Sequence, residues 1–81
     1  MHYNSKITGS VIRELRKKRG WSQAVLADFA DIRRPQLSEI EIGKRNPEVE
    51  TLWKIAAALD VPLSELLRIA ERRMGAAVGE P

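Results

Sequence analysis

The chain has 81 residues, with 14 Lys/Arg against 11 Asp/Glu and no cysteine. That length holds one small domain with a modest core, and without disulfide or thiolate–metal staples self-association is the expected source of further stability. There is no secretory leader and no apolar run of membrane-spanning length, so a soluble cytoplasmic protein that makes no membrane contact is expected.

The charge is unevenly spread. Residues 1–46 carry ten Lys/Arg and five Asp/Glu, whereas residues 47–81 carry four and six. A basic half is what a polyanion-binding surface needs, because neutralised phosphates release their counterions. A merely solvated basic face has the same composition, so charge alone does not decide.

Apolar spacing is helical almost throughout, with no β-type alternation. The first predicted helix runs from about Thr8 to Arg19, with Val11, Ile12 and Leu15 on one face and Gly20 as a left-handed C-cap. Ser22 is an N-cap for the second, about Gln23 to Phe29, which buries Leu26, Ala27 and Ala30. A third runs from about Pro35 to Ile42, with Leu37, Ile40 and Glu41 inward, and stops at Gly43. Asn46-Pro47 reads as a cap plus first-turn proline for a fourth helix reaching Leu59, with Val49, Leu52, Ile55, Ala56 and Leu59 as its stripe. After Pro62, Ser64 caps a fifth helix that reaches about Met74 and uses Leu66, Leu67 and Ala70. Residues 75–81 read as a flexible tail, leaving residues 1–74 as one all-α domain of five helices.

The second and third helices are joined by only a few residues, so they must cross steeply, as in a helix-turn-helix unit. The sequence-level pattern agrees. "RELR…RG.SQ..LA", "LS.IE.GKRNP" and "TL.KIA.AL.V" occur in order between Val11 and Leu67. With this spacing the chain resembles the phage-repressor-type helix-turn-helix family, the XRE or Cro/C1 group. In compact size it is similar to restriction–modification controller proteins and short phage-type repressors. The resemblance implies a lambda-repressor-like DNA-binding fold and a transcriptional regulator of double-stranded DNA.

The third helix would then lie in the major groove, where base edges carry a donor and acceptor code. Carried over position by position, the base readers are Arg33, Arg34, Gln36, Ser38 and Glu39. Arg34 is the first choice, since arginine donates two hydrogen bonds to guanine, while Glu39 could accept from cytosine or orient an arginine. Pro35 departs from the family pattern. It disfavours helical geometry at Arg34, and so places Arg34 at the N-cap and the helix start at Pro35, one residue later than family alignment suggests. Asp31 stands where the family commonly has Gly, and Asp tolerates a left-handed backbone.

Phosphate contacts are expected from Ser22 and Gln23 at the positive end of the second helix, and from Lys44, Arg45 and Asn46 after the third. Val25 stands where a capping-box Glu often occurs, so that reciprocal cap is absent. Lys17 and Lys18 read as solvated. Arg16 and Glu41 resemble a family ion pair tying the first helix to the end of the third. Trp21 and Trp53 fall at positions the family uses for apolar packing, so both are expected in the core or at its edge. Val61, Leu63, Leu66 and Leu67 lie beyond the DNA-reading unit. Some pack on Ile55 and Leu59, and the rest form a two-fold homodimer interface suited to a pseudo-palindromic operator.

Catalysis has little to work with. The only histidine is His2, there is no metal-ligand spacing or phosphate-cradling glycine loop, and Glu39 and Glu41 do not share a helix face. Neither enzyme activity, metal nor cofactor is expected. The rival reading is a DNA-binding antitoxin that also holds a protein toxin, and the resemblance also admits RNA polymerase as a partner, since some family activators touch it through an acidic patch.

Overall fold

The computed structural model describes residues 4–77, in which the backbone is helical with no strands. Five helices follow one another: α1 Ser5–Lys18, α2 Gln23–Ala30, α3 Arg34–Glu41, α4 Val49–Ala58 and α5 Leu63–Ala77. None of the described helices is long and apolar enough to cross a membrane.

Helix ends account for much of the architecture. Asn4 caps α1, which starts at Ser5, three residues before the predicted start, and its Oδ1 accepts from the Lys6 and Ile7 amides. Helices α1 to α4 all stop on a left-handed residue, in turn Gly20, Asp31, Gly43 and Asp60. In each case the next residue donates its amide back to the last turn: Trp21 to Arg16, Ile32 to Ala27, Lys44 to Glu39 and Val61 to Ala56. This 6→1 bond satisfies carbonyls that a helix end would otherwise leave without a donor. Three of those following residues, Trp21, Ile32 and Val61, also pack against the core, which fixes where the chain turns.

The starts of α3 and α4 differ from expectation in opposite directions. Arg33, not Arg34, is the N-cap of α3, with extended φ −80° and ψ 142°, and its carbonyl accepts from Leu37. Arg34 and Pro35 therefore both sit in the first turn. First-turn amides have no intrahelical acceptor, so proline forfeits no bond there, and the steric bias on its predecessor is overridden. Helix α4 starts at Val49 behind an extended Glu48, so Asn46-Pro47 belongs to the preceding loop rather than to the helix start. Helix α5 begins at Leu63, with the Pro62 carbonyl accepting from Glu65 and Leu66. Ser64 thus lies within its first turn rather than capping it. The helix continues to Ala77, past the Met74 boundary, and the remainder of the expected tail, residues 78–81, lies outside the described residues.

The core is built from Val11 and Ile12 of α1, Leu26 of α2, Leu37 and Ile40 of α3, Ile55 of α4, Leu59 just after it, and Leu66 of α5. Helix α1 packs closely on α3, because Gly9 lies against the Ile40 and Glu41 carbonyls, where a Cβ would overlap both oxygens. Two residues expected to pack in the core, Val49 from periodicity and Trp53 from the family pattern, are outside it. Val49 is 72% exposed and Trp53 62% exposed. They sit at the edge of the α4 stripe, four residues apart, where Leu52, Ile55 and Ala56 already fill the contact with the rest of the domain. Trp21, in contrast, is half-buried as expected.

Candidate nucleic-acid interface

Helices α2 and α3 are separated by Asp31, Ile32 and Arg33 alone. Asp31 takes φ 56°, the left-handed conformation that Asp tolerates better than most residues. Ser22 caps α2, its Oγ accepting from the Val25 amide at 3.2 Å. The turn and cap fix how α3 is presented.

One side of α3 is fully committed to the interior through Leu37, Ile40 and Glu41. Arg16 grips the Glu41 carboxylate with two bonds, Nε to Oε2 at 2.8 Å and Nη2 to Oε1 at 2.9 Å. Its Nη1 donates to the Trp21 carbonyl at 2.8 Å, and Gln23 Nε2 adds a bond to Glu41 Oε1 at 3.0 Å. The hydrogen bond to Glu41 raises the Arg16 pKa above its ordinary value, against the opposing effect of burial. No buried side-chain N or O among the described residues lacks a partner, so this charged network is internally satisfied.

The opposite side of α3 is open. Arg33, Arg34 and Pro35 are exposed, and Gln36, Ser38 and Glu39 are half-buried. Arg33, Pro35, Gln36, Glu39 and Arg45 line one shallow depression. Gln23, Arg34, Pro35 and Ser38 line a second. Because Pro35 borders both, all five expected base readers gather along the open side of α3, with Gln23 and Arg45 beside them. Glu39 is paired with an arginine: its Oε1 accepts from Arg45 Nε at 3.0 Å and Nη2 at 2.9 Å. Lys44 and Asn46 are exposed in the same loop. That loop is anchored at Gly43 (φ 81°), whose carbonyl accepts from Ser5 Oγ at 3.1 Å.

Two assignments need refinement. Gln23 uses one amide hydrogen on Glu41, leaving the second for another acceptor. Leu66, assigned to a dimer surface, is 0% exposed within its own chain and packs in the core, so it offers nothing to a partner. Val61, Leu63 and Leu67 remain half-buried at the surface.

Sequence reasoning passed over a third groove, lined by Val25, Asp28 and Phe29 of α2 together with Ile32 and Arg34. Phe29 is largely exposed and lies 5.0 Å from the Trp21 ring, which Arg19 covers at 5.1 Å. The available signal was Phe29 standing four residues after Val25, off the buried face of α2.

Comparisons with known proteins agree with this geometry. A family model described as Helix-turn-helix matches residues 12–66. The HTH-type transcriptional regulator SutR of Escherichia coli (strain K12) is 36% identical over 63 residues, which is 78% of this chain but only 35% of SutR, so the chain spans about a third of that relative's length. Among solved structures, the restriction–modification controller protein C.AhdI from Aeromonas hydrophila superposes with TM-score 0.77 at 34% identity, covering 80% of this chain and 98% of that one. The regulator for biofilm formation SinR, in complex with DNA, superposes with TM-score 0.70 at 38% identity, covering 74% and 97%. With the pattern, the five-helix fold and these matches in agreement, the chain belongs to the phage-repressor-type (XRE, Cro/C1) helix-turn-helix family of DNA-binding transcriptional regulators.

Proposed function

We propose that the chain is a sequence-specific regulator that binds a pseudo-palindromic operator as a homodimer, with α3 in the major groove. The observation that carries this reading is the gathering of Arg33, Arg34, Gln36, Ser38 and Glu39 along one open side of α3, with Arg45 alongside. Such a side supplies bidentate donors for guanine from Arg34, an amide from Gln36 and a phosphate grip from Arg45. SinR, similar over most of this chain, is a DNA-bound example of the same arrangement of helices.

The homodimer reading rests on Val61, Leu63 and Leu67, apolar residues that their own chain leaves half-uncovered. A two-fold axis there spaces two α3 helices about one DNA turn apart, roughly 34 Å. The similarity to C.AhdI supports a compact regulator of the controller type.

The test is duplex binding by fluorescence anisotropy across a salt series. Affinity is expected to fall linearly in log–log form, with a slope of about −0.9 per phosphate contacted by a cation. Absence of binding at low salt, or binding insensitive to salt, overturns the proposal.

A further inference from the structure

The most conspicuous unpartnered surface lies on α4. Val49, Trp53 and Ala57 recur every four residues and form a continuous exposed apolar stripe. Trp53 alone leaves 62% of its surface in solvent. An exposed tryptophan on a regular helix is a frequent anchor of protein contacts, since its large rigid area costs little entropy to immobilise.

The flanking charges indicate which partner fits. Glu50 and Lys54 follow Val49 and Trp53 by one position each, so they lie along the same flank of the stripe. When two α4 helices cross antiparallel with a two-fold axis at Trp53, that flank meets itself. Glu50 of each copy then stands within about one helical rise step or two of Lys54 on the other. Opposite charges meet twice across the axis, against one approach of Lys54 to its own copy, and the two Trp53 rings share its centre.

From this self-complementarity we infer that α4 is a docking surface for a second copy of the same chain, joined antiparallel through Val49, Trp53 and Ala57. This contact is separate from the one assigned to Val61, Leu63 and Leu67. It requires no DNA, so it stands or fails independently of the operator reading. Copies carrying both contacts would link neighbouring DNA-bound dimers.

Sedimentation equilibrium of the full chain, with charge-reversal variants mixed and unmixed, tests this inference. Glu50→Lys alone sets lysine against lysine twice, and Lys54→Glu alone sets glutamate against glutamate twice. Each is expected to weaken this self-association at least about tenfold. An equimolar mixture of the two restores both attractive pairs and is expected to return association to near the wild-type level. Trp53→Glu, at a position the fold does not bury, is expected to keep its helical circular dichroism while losing the contact. The inference is overturned if the mixture associates no better than its components, or if Trp53→Glu associates as the wild type does, which would leave the stripe to a different protein.

Discussion

Arg16 holds Glu41 through two parallel hydrogen bonds of 2.8 and 2.9 Å across the contact between α1 and α3. Both side chains are almost wholly out of solvent, so removing either leaves a buried charge without its counterpart. Glu41→Ala is expected to lose about 3–5 kcal/mol in urea unfolding followed by circular dichroism. DNA binding should fall in step with the unfolded fraction. A Glu41→Ala protein as stable as the wild type that no longer bound DNA would move Glu41 into the interface itself.

Gln23 touches the same carboxylate with a neutral donor, so its replacement has a milder signature. Gln23→Ala is expected to cost about 1 kcal/mol of stability. Its remaining amide hydrogen, if given to a phosphate, contributes affinity without releasing a counterion. The salt slope of DNA binding should therefore stay unchanged while the whole line shifts to weaker binding. A smaller slope in Gln23→Ala would contradict this assignment.

Arg34, in the first turn of α3, and Arg45, in the loop after it, should separate by their readouts. Arg34→Ala is expected to relax base preference at one position per half-site by about 1–3 kcal/mol, measured against a panel of single-substituted duplexes. Arg45→Ala should weaken binding to all sequences alike and reduce the salt slope by about one per subunit. Uniform weakening from Arg34→Ala would make it a backbone contact instead.

Gly9 predicts a packing defect with no polar component. A methyl group there would overlap the Ile40 and Glu41 carbonyl oxygens, and neither can move without disturbing α3. Gly9→Ala gains helix propensity but is expected to lose about 1–3 kcal/mol overall, read as a lowered Tm. An unchanged or raised Tm would show that α1 can back away from α3 without penalty.

A pH effect follows from the link between α1 and α5. Arg73 donates to Glu14 at 2.8 Å, and this bond, with the charge of Arg73, holds the Glu14 carboxyl below its ordinary pKa. A depressed folded-state pKa gives a contribution that is present above the unfolded value and lost as pH falls through the folded one. Acid unfolding below about pH 4 should therefore be slightly shallower in Glu14→Gln than in the wild type. Identical acid limbs would mean that the pair does not persist in solution.

Much of the fold was legible because its determinants are local. Gly20, Asp31 and Gly43 mark the ends of three helices, and Ser22 marks the start of α2, each through a requirement that a few neighbouring residues reveal. The buried pairing of Arg16 with Glu41 came from family pattern, since 25 residues separate the partners and no local rule joins them. Positions decided by competition between neighbours were harder. Pro35 disfavours helix at Arg34, yet the Leu37 amide bonded to the Arg33 carbonyl sets the earlier start. Periodicity put Val49, and the family pattern Trp53, with the core of α4, yet both are exposed while Leu52, Ile55 and Ala56 fill the contact. Leu66 and Leu67 are adjacent and chemically alike, and only packing assigns the first to the interior.

The connection from α2 to α3 uses three residues, with Asp31 turned left-handed and Ile32 tied back to Ala27 at 3.0 Å. Such a link has no slack to absorb a change in its length. One inserted residue that lengthened α3 at its start would rotate the positions before it by about 100° relative to those after it. Arg33 and Arg34 would swing out of line with Gln36 and Ser38, although every side chain was still present. The letters of this turn can therefore drift among residues that accept its backbone, while their number is held by the angular phase of the helix that follows.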